Sequence, residues 1–218
     1  FPTLRSSDLT GSTIIMSIIF AFASLLIILG LAYKLDYSLA TNTIILIGVI
    51  FTMFAHSIIS LIVVFAGDRV KSIMFWTMGS LAGSNFINSA VLAISLLICG
   101  SIILLLTDEL NAFAIGEENA RHIGVNIRRV KLLILIMVSV LIGVTVSIGG
   151  TIGFAGLVIP HMSRMIVGPN HRRLLPASLF AGASFLMLAD LIGRTILRPL
   201  ELPIGVVTSF IGSIAFVY

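Results

Sequence analysis

Four stretches of this chain contain no Asp, Glu, Lys or Arg: 11–33, 37–67, 72–107 and 132–163. Each is longer than the ~20 apolar residues that cross the hydrocarbon core of a bilayer. Charged residues make up 10% of the 218-residue chain, against about 25% in a soluble domain. That is too few to cover a water-facing surface. Inside lipid each backbone polar group must be bonded within the fold, which long apolar runs achieve as helices. The fold class that follows is all-α and polytopic.

Seven helices are expected, over about 12–33, 43–66, 86–106, 129–149, 152–167, 176–197 and 204–218. The fourth and fifth share one apolar run, divided at Gly149-Gly150-Thr151 because paired glycines weaken a helix and favour a turn. Seven crossings place Lys34, Arg121, Arg128, Arg129, Lys131, Arg164, Arg172 and Arg173 on one side. The other side holds Arg69, Lys71, Arg194 and Arg198, with Arg5 if the first residues are native. The richer side is expected to be cytoplasmic. Residues 1–9 are polar, aperiodic and without a signal-peptide core. They are left unassigned, as an exposed loop or a non-native junction, and 10–218 is read as a partial transmembrane domain. The chain also stops inside an apolar segment, so a fragment of a longer protein is expected.

Between the second and third long helices, Met74, Phe75 and Trp76 precede Gly79 and several small polar residues. Tryptophan suits the membrane–water boundary. A short amphipathic or re-entrant helix is expected there, followed by irregular backbone that must be buried or line a cavity.

The usual signatures of chemistry are missing. There is no GxxxxGK[ST] phosphate loop, no HExxH and no GxSxG elbow. The one cysteine, Cys99, lies in an apolar run, and the four histidines match no metal spacing. No basic–aromatic face suits nucleic acid. Asp190, the acid nearest to membrane depth, stands four residues before Arg194, so a helical ion pair is available. A proton- or ion-coupled secondary transporter, the main rival class, should instead show intramembrane acids along one path or discontinuous ion sites.

Two segments read as contact sites. In the cytoplasmic segment, about 107–128, Glu117 and Glu118 precede Arg121 at spacings that support a short helix. Its acids favour the N-terminal end, and Gly124 can end it. It is either a solvated loop or a small helix presented to a partner. On the outer side, Glu201-Leu202-Pro203-Ile204-Gly205 makes a helix start. Arg194 and Arg198 share a face if their helix persists, either snorkelling to headgroups or docking an acidic partner.

The stretches GEENARHIGV, beginning at Gly116, and GTIGFAGLVIPHMSRMIVGPNHRRLLPASLFAGASFLMLADLIGRTILRPLELPIGVVTSFIG, beginning at Gly150, strongly resemble the FecCD-type permeases. These are the membrane subunits of bacterial ABC importers for iron–siderophores, haem and vitamin B12. The resemblance runs from about 110 to 216, weakens over 68–107 and is mainly hydropathic before 66. It implies a ten-helix permease fold of which this chain holds about seven, in the bacterial cytoplasmic membrane. It also implies a second permease copy, two cytoplasmic ATPase subunits that use the ATP, and an extracytoplasmic binding protein, with no cofactor or metal bound by this chain. Gly116, Glu117, Glu118, Arg121 and Gly124 match the coupling loop that sits in a groove of the ATPase. Arg194 matches an outer arginine that docks the binding protein, and Arg198 is its neighbour. Glu201, Pro203 and Gly205 lead into the last helix beside the translocation path. Iron–siderophore is the expected cargo.

Overall fold

A computed structural model of the chain describes residues 6–37, 39–67, 70–81, 84–197 and 201–217. Arg5, Arg69 and Arg198 lie outside the described residues. Regular structure within them is helical. In chain order the helices are α1 (Ser6–Leu35), α2 (Thr41–Phe65), α3 (Val70–Thr77), α4 (Phe86–Leu105), α5 (Thr107–Phe113), α6 (Glu117–His122), α7 (Ile127–Gly149), α8 (Ala155–Val167), α9 (His171–Thr195) and α10 (Ile204–Val217).

Five of these, α1, α2, α4, α7 and α9, are long and apolar enough to cross a membrane. The apolar α8 and α10 are shorter. At 1.5 Å per residue, α8 reaches only about 20 Å. The seven expected helices are thus all present, two of them shorter over the described residues than the other five. The break between α7 and α8 falls at the glycine pair, where Gly150 has φ +68°. It extends to Phe154, which also lies in the left-handed region at φ +63°, so α8 begins three residues later than expected. At the start of α9 the difference is opposite. The Asn170 side chain accepts the Arg172 N–H at 3.0 Å, and this cap starts the helix at His171 rather than at Pro176. Residues 6–9, set aside in the sequence, continue α1.

α7 packs against α1 and α4, while α8, α9 and α10 pack on one another. α7 and α1 approach closely at Gly143, where a Cβ would stand 2.9 Å from the Ile18 Cα. Small residues at a crossing let two membrane helices pack backbone to backbone. The turn after α1, the α5–α6 segment and the α8–α9 turn gather at one end of the bundle, joined by the side-chain bonds described below. That end carries the eight basic residues assigned to the richer side.

Candidate functional site

At the basic end the chain between α4 and α7 forms a small tethered platform. α6 opens at Gly116 and closes on Gly124, whose φ is +91°. The Gly124 N–H donates to the Arg121 carbonyl at 3.0 Å and the Val125 N–H to the Ala120 carbonyl at 3.1 Å. This double bond pattern ends a helix around a left-handed residue, which is why glycine stands there. Ala120 turns inward and is fully buried, whereas Glu118, Arg121, His122 and the flanking Ile115 and Ile123 are exposed. Charged and apolar side chains are therefore offered together on an outward knuckle. Arg121 and Gly124 also edge a shallow groove with Asn126 and Arg128.

Glu117 points the other way. Both of its carboxylate oxygens accept from Lys131 Nζ at 3.0 Å, and it also accepts the Thr41 hydroxyl. Burial alone would raise its pKa, but the Thr41 and Lys131 hydrogen bonds and the ammonium charge outweigh that and hold it below the usual carboxylate value. It is ionised at neutral pH. The spacing rule had offered Arg121 as its partner; the residue that engages it is in α7. A second tether holds α5. Asn111 Oδ1 accepts both the backbone N–H and the ring Nδ1–H of His171 at 2.8 Å. Asn111 Nδ2 donates to Asn170 Oδ1 at 3.2 Å, and Arg172 reaches Asp108 at 2.7 Å. Sequence reasoning singled out none of Lys131, Asn111 or His171 for these roles. Their partners lie 14 to 92 residues away, with no periodic signal to join them.

Near the opposite end three interrupted segments meet. The backbone after α3 crosses the α7–α8 break and the start of α10, with Ser80 N–H bonded to the Gly149 carbonyl at 2.9 Å and Gly205 N–H to the Met78 carbonyl at 3.0 Å. The Thr151 hydroxyl donates to the Thr77 carbonyl. A Cβ on Gly150 would lie 2.5 Å from the Trp76 carbonyl, and one on Gly79 2.7 Å from the Thr151 carbonyl. The irregular backbone expected after Trp76 is therefore bonded to protein backbone. Beside this junction runs an open groove of about 790 Å³. Hydroxyls of Thr77, Thr151, Ser209 and Ser213 line it together with Met78, Phe154 and Phe210, and its lining contains no charged residue.

Of the sequence-derived gate residues, Gly205 lines this groove. Glu201 and Pro203 instead line a smaller outer pocket with Asp190 and Arg194. There Arg194 Nε donates to Asp190 Oδ2 at 2.8 Å, the i,i+4 pair that the spacing offered. Its side chain remains 43% exposed, so the guanidinium is held at the surface rather than sealed. No cluster of His, Cys, Asp and Glu among the described residues could hold a metal ion.

Residues 4–218 match the FecCD transport family. An uncharacterised ABC transporter permease protein of Bacillus subtilis (strain 168) is 40% identical, over 93% of this chain and 57% of its own length. A cobalamin import system permease protein of Halobacterium salinarum is 37% identical, over 82% of this chain and 48% of its own. Among solved structures, an ABC transporter assigned to the metal-chelate type, in an inward-facing conformation, superposes with a TM-score of 0.84 at 34% identity. That match covers 91% of this chain and 63% of the other. The chain thus spans about half of the length of the curated relatives it matches.

Proposed function

Since this chain belongs to the FecCD transport family and is a multi-pass protein of the cytoplasmic membrane, we propose that it serves as the permease subunit of an ATP-driven, binding-protein-dependent importer. Two permease copies work with two cytoplasmic ATPase subunits and an extracytoplasmic binding protein. This subunit hydrolyses no ATP and needs no cofactor. It supplies a lever and a gate.

The observation that carries this reading is the separation of two different surfaces at opposite ends of one bundle. α6 offers Glu118 and Arg121 outward between Ile115 and Ile123, a mixed charged and apolar surface suited to a groove on another protein. Toward the other end lies a groove with hydroxyl and aromatic lining and no charge. Such a wall grips a bulky polar cargo weakly, which suits release after passage. Cargo choice then rests with the binding protein, and a metal chelate, iron–siderophore first, is the proposed class. Arg194, exposed beside Glu201 on the outer pocket, is the proposed docking contact for an acidic lobe of the binding protein, where charge complementarity sets register and encounter rate.

The rival secondary transporter calls for intramembrane acids or discontinuous ion sites, and the groove lining supplies no acid. The test uses the complete gene product, gently solubilised from its native membrane, with co-purifying subunits identified by mass. A phosphate-loop ATPase in equal number with the permease is expected. A pure homo-oligomer that transports on an ion gradient would replace this reading with the rival.

A further inference from the structure

Lys131 lies one turn into α7 and its side chain is 14% exposed. Its ammonium faces three acceptors: the two Glu117 oxygens at 3.0 Å and the Leu39 carbonyl at 2.8 Å. That matches its full complement of three donors. Leu39 is 5% exposed and holds φ +52°, a conformation leucine rarely adopts unless its surroundings impose it. Thr41, the first residue of α2, also donates to Glu117. One ammonium therefore ties α6, α7 and the start of α2 together. An exposed ion pair would contribute little. Here the ammonium half is sheltered while the Glu117 side chain is 36% exposed, and removing the amine would leave the buried Leu39 carbonyl without its donor, the costly case for such a group.

α2 is suited to carry movement away from this knot. It runs from the knot toward α3 and packs on α1 and α3. At its far end α3 leads into Thr77 and Met78, which line the groove and bond to Thr151 and Gly205. We propose that Lys131 is a positioning residue that transmits displacement of α6 to the start of α2, and through α2 and α3 to the groove wall. This rests on the importer reading, in which the ATPase moves α6. It assigns Glu117 an inward role, distinct from that of the outward Glu118 and Arg121.

The test is amide hydrogen exchange on the complete permease–ATPase complex, with and without a non-hydrolysable ATP analogue, read over 39–47, 74–79 and 117–122. In the wild type the nucleotide changes exchange in all three. In Lys131→Met the ATPase still co-purifies and the change over 117–122 persists. The changes over 39–47 and 74–79 fall by at least about fivefold, the low end of ordinary coupling between sites. Lys131→Arg restores them, because its guanidinium still donates to both partners. Thr41→Val, which leaves the ion pair in place, gives a partial loss and serves if Lys131→Met does not assemble. Full responses over 39–47 and 74–79 in both variants would overturn the proposal, as would loss of the 117–122 response. A wild-type complex without an ATPase would overturn the importer reading itself, and is distinguished by mass before any exchange is measured.

Discussion

At Gly205 the backbone of α10 lies so close to the segment after α3 that the Met78 carbonyl takes the space of a Cβ. The approach is fixed by the bond from Gly205 N–H to that same carbonyl, so a side chain there cannot be relieved by a rotamer change. Gly205→Ala is expected to cost roughly 1–3 kcal/mol, the usual penalty for overpacking, read as a lower midpoint of thermal unfolding in detergent. Because Met78 and Gly205 both line the groove, uptake should fall more than the amount of folded protein does. Gly182→Ala is the control. Its Cβ would meet Ile159 at an ordinary 3.8 Å, and relief of glycine's helix penalty, about 0.5–1 kcal/mol, should leave stability equal or higher. Equal destabilisation by both variants would show that the Gly205 crossing is looser than its geometry implies.

Among the elements, α6 divides its charged residues by direction. Glu117 is committed to Lys131 and Thr41, whereas Glu118 and Arg121 face outward. Replacing Glu118 and Arg121 together with alanine should leave ATP hydrolysis running while uptake per ATP falls by about tenfold, within the range of coupling energies between sites. Parallel ATPase and uptake assays in proteoliposomes check this, and normal coupled transport would sink the assignment. The extent of α6 was legible in sequence because its signals are local: two acids at one end, and a glycine that can turn left-handed at the other. The α7–α8 break was legible for the same reason, from two adjacent glycines. What each acid touches was not legible. The i,i+4 rule offered Arg121 to Glu117, but a sheltered ammonium with a buried carbonyl beside it is the stronger partner, and only the fold brings it there. The outer end shows the same limit. Glu201, Pro203 and Gly205 are neighbours in sequence, yet a helix start turns Gly205 to the groove and leaves the other two with Arg194.

For the whole molecule, the buried share of each span's most apolar window is at most 22%, so most of this apolar surface meets lipid or other protein. The bundle hides little and instead holds surfaces in register: a tethered platform at one end, a bonded crossing of interrupted helices near the other, and long helices between. Such a frame is suited to change between two packings when its platform is pushed. Proton coupling through titrating side chains calls for ionisable groups along the path, and the groove lining carries no charged residue. Asp190 lies on the outer pocket and is neutralised by Arg194. In proteoliposomes containing the complete permease, its ATPase and its binding protein, uptake of a ferric siderophore should therefore require ATP at the ATPase face. It should persist when ionophores collapse proton and sodium gradients. Uptake that disappears with the gradients while ATP remains would mean that an ion-coupled path exists, and the energy source proposed for this protein would have to change.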